Sequence, residues 1–157
     1  VHANAALLHR FYDAFAARDA EAMAACYAPD AHFSDPAFPD LRGDAIGDMW
    51  RMLVTQASSL EVTHTNVVAD DHKGTAHWEA RYPFGPSKRP VHNVIDAAFE
   101  FRDGLIVDHV DTFDFRRWAG QALGPVGVLF GWAPPLRRTV QGQAGKQLAK
   151  FRARRAG

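Results

Sequence analysis

The sequence predicts an α+β fold in which three helices precede an antiparallel meander and a further helical segment follows it. Three observations carry this. Apolar residues recur at helical spacing up to about Gln56, the spacing changes to two-residue alternation from Glu61, and short turn-forming links separate the alternating segments.

The elements follow in order. Ala6, Leu7, Phe11, Ala14 and Phe15 mark a first helix, and Ala20 to Tyr27 a second, joined at Arg18-Asp19 as a helical hairpin. Pro29-Asp30 ends the hairpin. Ala31-His32-Phe33-Ser34-Asp35-Pro36 reads as a short strand leaving through turns at Pro36 and Pro39. Gly43-Asp44 opens a third helix, with Ile46, Met49, Trp50 and Leu53 on the stripe that faces a sheet. Strands are expected near 61–69, 75–84, 91–102 and 105–115, with Asp70-Asp71, Gly85-Pro86-Ser87 and Asp103-Gly104 between them. Connections this short make consecutive strands antiparallel neighbours. Alternation places Ala76, Trp78, Ala80 and Tyr82 on an inner face, with Asn93, Ile95, Ala97, Phe99 and Phe101 on the inner face of the next strand. On the last strand both faces are mixed, so alternation leaves open which one lines the interior.

At 157 residues the chain can bury a core of its own, and its single cysteine, Cys26, forms no internal disulfide. With no signal-peptide pattern at its start and no bilayer-length apolar run, a cytoplasmic protein is expected. The net charge of zero hides an asymmetry. All 18 acidic residues lie at or before Asp114, whereas residues 115–157 hold nine basic residues and no acidic one. A basic tail folded on an acidic body, or meeting an external polyanion, would account for it.

Arg10-Phe11-Tyr12, Asp19, Phe33-Ser34-Asp35-Pro36, Gly43 and the run Phe99 to Asp111 resemble the SnoaL-like polyketide cyclase and ketosteroid isomerase branch of the nuclear-transport-factor-two-like superfamily. The resemblance spans residues 1–115 and implies a cone-shaped curved antiparallel sheet covered by the three N-terminal helices, a cystatin-like α+β barrel around an apolar pocket. Residues 116–157 then form a C-terminal helical extension, packed on the same domain or on a partner subunit. This fold hosts isomerases, dehydratases, epoxide hydrolases, cyclases and inert binding modules, so the site and not the fold must decide activity.

By position, the resemblance puts Asp35 where the isomerases keep a proton-moving carboxylate, and it turns His109, Asp111 and Phe113 inward. Desolvation could tune such carboxylates to move protons near neutral pH, as it does for the acid groups of ketosteroid isomerase. Two departures matter. Phe11 stands where the isomerases keep a tyrosine donor, and Ala97 where they keep a protonated acid, so the steroid reaction itself is not expected. The candidate catalytic residues are therefore Asp35, His109 and Asp111. Phe11, Trp50, Trp78 and Phe113 are candidate walls for a small lipophilic ligand, with Asn93 orienting a carbonyl or hydroxyl. The same residues also admit structural roles: Asp35 capping a turn, His109 and Asp111 as a satisfied pair, and Trp50 and Trp78 as core.

The expected function is proton transfer, isomerisation, dehydration or cyclisation without a cofactor; the alternative is a non-catalytic ligand-binding or dimeric scaffold module. No metal is expected, because His64, His72, His77 and His92 lack a convergent ligand spacing. A homodimer is expected through the outer sheet face, where Glu79, Arg81, His92 and Asp96 would lie. The tail, apolar and Gly/Pro-punctuated from Ala122 to Trp132 and basic beyond Pro135, could be a lid, a packing element or an anionic-membrane contact. Nucleic acid is not expected, since the basic stretch has few aromatics and the acidic body repels phosphates.

Overall fold

The computed structural model describes residues 2–157. Helix α1 (Ala3–Ala16) starts where the His2 ring accepts a hydrogen bond from the Asn4 N–H. Helix α2 (Ala20–Ala24) starts where Asp19 accepts one from Ala22 N–H. Strand β1 (Tyr27–Ser34) and the two-residue β2 (Leu41–Arg42) precede helix α3 (Asp44–Gln56). A meander follows, of β3 (Glu61–Ala69), β4 (Lys73–Phe84), β5 (Arg89–Arg102) and β6 (Leu105–Thr112). Three helices close the chain: α4 (Phe115–Leu123), α5 (Pro125–Phe130) and α6 (Pro134–Ala156).

The fold is α+β, as the sequence predicts. Its six strands form one curved sheet in the order β2-β1-β6-β5-β4-β3, open at both edges and so not a closed barrel. The β3 to β6 pairings are antiparallel. The β1–β6 seam is parallel, which makes the sheet mixed and not antiparallel throughout as the sequence suggests. That seam explains two displaced boundaries. The helical pattern continues to Tyr27, but α2 stops at Ala24 because Tyr27 pairs with Ile106 and Cys26 O accepts the Ile106 N–H. Pro29 is tolerated in β1 because it sits in the irregularity between Tyr27 and His32, where the ladder needs no N–H. The last strand ends at Thr112, three residues early, because Asp114 caps α4 by accepting the Arg117 N–H.

Asp103 and Gly104 both adopt positive φ, the two-residue hairpin turn expected of Asp-Gly. Beside it a register shift between Glu100 and Phe101 changes the parity of β6. Ile106 therefore faces inward, and beyond the irregularity so do His109 and Asp111, which resolves the two mixed faces of that strand. The main core joins Leu8, Phe11, Tyr12, Phe33, Met49 and Trp50 to the inner sheet face. Of the expected stripe on α3, Ile46, Met49 and Trp50 are buried, while Leu53 is exposed and Met52 is buried instead.

Helix α6 lies against α3, where Asp48 collects three guanidinium groups: Arg51 Nη1, Arg152 Nε and Arg155 Nε, each at 3.0 Å. Gln141 adds a hydrogen bond from Nε2 to Pro36 O. Two of the tail's basic residues thus meet a carboxylate of the same chain. Asp48→Ala is expected to destabilise the protein by about 1–2 kcal/mol, since Arg152 and Arg155 are half-exposed and screened. The loss would appear as faster amide exchange in the second half of α6 and would be smaller at high salt. Among the described residues, no helix is long and apolar enough to cross a membrane.

Candidate active site

The inner sheet face, α3 and the three C-terminal helices enclose a cavity of about 610 Å³. Its wall is apolar except for a few polar groups, among them Asp35, Tyr82, Asn93 and Asp111.

Asp35 stands just beyond β1, where the chain turns through Pro36. Its Oδ1 accepts the N–H groups of Ala37 at 2.7 Å and Phe38 at 2.6 Å, so it does cap the turn. The same residue lines the cavity, and Oδ2 takes no hydrogen bond from the described residues. Burial in the apolar wall raises its pKa to about 7, the Phe38 N–H pulls the other way, and the charge of Asp111 raises it further. Arg137 is near enough to offset part of this.

Asp111 is fixed from behind. Trp50 Nε1–H donates to the Tyr27 hydroxyl at 3.1 Å, and that hydroxyl lies 2.8 Å from His109 Nδ1. His109 Nε2 lies 2.8 Å from Asp111 Oδ1, which also accepts Trp78 Nε1–H at 3.2 Å. These contacts are satisfied when Tyr27 donates to Nδ1 and His109 donates from Nε2 to Asp111. Burial holds the Tyr27 hydroxyl well above the usual phenol range, so it keeps its proton. Oδ1 is thus doubly occupied, and Asp111 itself lines the cavity.

Of the residues expected from the sequence, Asp35, Trp50, Trp78, Asn93, Asp111 and Phe113 reach the cavity wall. His109 and Phe11 do not. Both are fully buried behind it, their rings edge-on at 5.8 Å between centroids. Phe11 is a core residue and not a ligand contact, because α1 packs its ring against Trp50 and Tyr27. His109 is joined to the cavity wall only by its hydrogen bond to Asp111.

Sequence reasoning missed Tyr82 as a site residue, although the alternation of β4 places it on the inner face. Its hydroxyl accepts Trp118 Nε1–H at 3.0 Å, and burial pushes its pKa up to about 12, with the charge of Asp35 adding to the effect. It therefore keeps a proton to donate. The contributions of α4 and α6, including Trp118, Thr139 and Gln143, carry no readable signal because they depend on how the tail folds back. On the outer sheet face, His77 bonds to Asp96 and Glu79, and Glu79 to His92. Among the described residues, no three His, Cys, Asp or Glu side chains converge as metal ligands would.

The profile of the SnoaL-like domain family matches residues 8–109, well over half of the chain and every strand up to the middle of β6. The chain belongs to the SnoaL-like domain family. Similar solved structures share its fold at low sequence identity. A Mycobacterium tuberculosis LEH-like epoxide hydrolase is 21% identical, with a TM-score of 0.65 over 81% of this chain and 95% of its own. A Catenulispora acidiphila protein of ketosteroid isomerase-like fold, solved with trimethylamine, is 15% identical, with a TM-score of 0.67 over 82% and 97%. An NTF2-like protein of unknown function from Burkholderia pseudomallei is 17% identical, with a TM-score of 0.62 over 73% and 92%. No curated protein matches the chain by sequence. In this SnoaL-like chain the match ends before α4, so the helices that complete the cavity lie outside the matched residues.

Proposed function

We propose that this SnoaL-like protein is a cofactor-independent acid–base enzyme acting on a small lipophilic carbonyl or hydroxyl compound by isomerisation, dehydration or cyclisation-type proton transfer. The observation that carries the reading is the pair Asp35 and Asp111, both opening on one apolar cavity, with Asp35 titrating at about 7. A base must change protonation state near the working pH, and Asp35 does. Its Oδ2 takes a proton from carbon beside the carbonyl, and the oxygen that gains negative charge accepts from Tyr82 O–H and the Asn93 amide. Asp35, now protonated, returns the proton to another carbon of the enolate, directly or through the Asp111 carboxylate that His109 and Trp78 hold in place. Trp50, Trp78 and Phe113 hold the apolar part of the ligand and keep bulk water away.

The test is deuterium exchange in heavy water over a panel of enolisable cyclic ketones, read by NMR. Wild-type protein is expected to label the position beside the carbonyl, and Asp35→Asn to lose the labelling while retaining ligand binding. No labelling by the wild type across the panel would favour the second reading, a ligand-binding module. That reading draws support from the burial of His109 and Phe11 and from the dominance of apolar side chains in the wall. We place a homodimer contact on the outer sheet face around His77, Glu79 and His92; light scattering should show a dimer that Glu79→Arg disrupts.

A further inference from the structure

Five large apolar side chains crowd the surface between residues 126 and 132. Val126, Val128, Leu129, Phe130 and Trp132 are 53%, 57%, 62%, 54% and 68% exposed, and among the described residues the only other exposed large apolar side chains are Leu53 and Val68. The five belong to α5 and the turn after it. The segment is held firmly: a Cβ on Gly127 would lie 1.8 Å from Ala119 O, so only glycine lets α5 lie this close on α4. Gly131 N–H donates to Gly127 O at 2.8 Å, and the Trp132 indole N–H to Leu129 O at 3.0 Å.

The surroundings are basic. Residues 115–157 contain no acidic residue, and of their nine basic residues Arg152 and Arg155 are held by Asp48 against α3. Arg89, Arg116 and Arg117 line a shallow depression with Val128. The acid there, Asp114, is engaged at the start of α4 by the Arg117 N–H. The patch also adjoins the cavity, since Val126 in α5 and Leu136 just beyond it are part of the cavity wall.

An exposed apolar face with a cationic rim complements an anionic bilayer. Its apolar side chains can enter the boundary between headgroups and acyl chains, where tryptophan is favoured, while arginines meet lipid phosphates. A second copy of the chain is a poorer occupant, because a two-fold contact would set this basic rim against itself. We propose that α5 docks the protein on an anionic membrane surface with the cavity mouth facing the lipid, so that a lipophilic ligand enters from the bilayer. This docking does not depend on which reaction the cavity performs.

The experiment is co-sedimentation of the full chain with phosphatidylcholine vesicles, with and without phosphatidylglycerol as about a third of the lipid. Binding is expected to the anionic vesicles and to fall steeply at about 0.5 M salt. The double variant Phe130→Ser/Trp132→Ser should lower partitioning about tenfold or more. Arg116→Glu should lower it about fivefold. Arg116→Glu should keep the wild-type melting temperature, and the double variant should lose no more than the exposed Trp132–Leu129 hydrogen bond contributes, because the altered side chains are exposed. Failure to bind anionic vesicles, or equal binding by the double variant, overturns the proposal. So does a concentration-dependent dimer that the double variant abolishes, which would assign the patch to a second copy.

Discussion

Asp35→Asn is expected to abolish proton-transfer turnover and at the same time to stabilise the protein above neutral pH. A role in catalysis alone would leave the melting temperature unchanged; the site geometry says otherwise. An asparagine Oδ1 can still accept the Ala37 and Phe38 N–H groups, so the turn survives. What disappears is the need to hold a carboxylate in an apolar wall. Asp35 titrates at about 7 in the folded protein against an ordinary 3.8, so between those values the folded state binds a proton that the unfolded state has released. Folding stability therefore declines as pH rises from about 4 to about 7, and the penalty is complete above that. At 1.36 kcal/mol per tenfold the effect is bounded near about 4 kcal/mol, and solvent reaching half-buried Asp35 through the cavity reduces it to on the order of 2 kcal/mol. For a chain of this size, that is a rise of roughly 4–8 °C in melting temperature at pH 8, vanishing near pH 4. Scanning calorimetry of the two proteins at both pH values checks it. Equal melting temperatures at pH 8 would mean that Asp35 is not desolvated. Wild-type activity should rise with pH through about 7, as the base loses its proton.

His109→Leu should cost the most stability of any single change in the site, about 3–5 kcal/mol. The imidazole is completely buried and joins Tyr27 to Asp111. Removing it leaves a buried carboxylate with one donor, Trp78, and a buried hydroxyl with no acceptor, which is the costly way to break such a network. Tyr27→Phe removes only the hydroxyl and should cost about 1–2 kcal/mol. Urea denaturation distinguishes the cases, and a loss under about 1 kcal/mol for His109→Leu would show that the chain of bonds is not a structural unit. His109→Gln, whose amide can still donate towards Asp111, should recover part of the stability. If His109 positions Asp111, turnover per folded molecule should recover along with it.

The SnoaL-like fold is readable because its signals are local. Two-residue alternation locates β3 to β6, Asp103-Gly104 locates a hairpin, and Asp35-Pro36 locates a turn whose carboxylate also enters the cavity. Asp35, Trp78, Asn93 and Asp111 can be named because each lies on a strand or turn whose facing the pattern or the family resemblance indicates. Phe11 is misplaced for the same reason: helical spacing shows that a side chain faces inward, not whether it stops at the core or reaches a cavity. Other features are decided only by tertiary structure. The parallel β1–β6 seam draws Tyr27 out of a helix and sets its hydroxyl against His109. The clamp on Asp48 lays α6 over the cavity and makes Thr139 and Gln143 part of its wall. Each of these joins residues far apart in the chain, and side-chain periodicity records only which way a residue points from its own element, not what the fold brings to meet it.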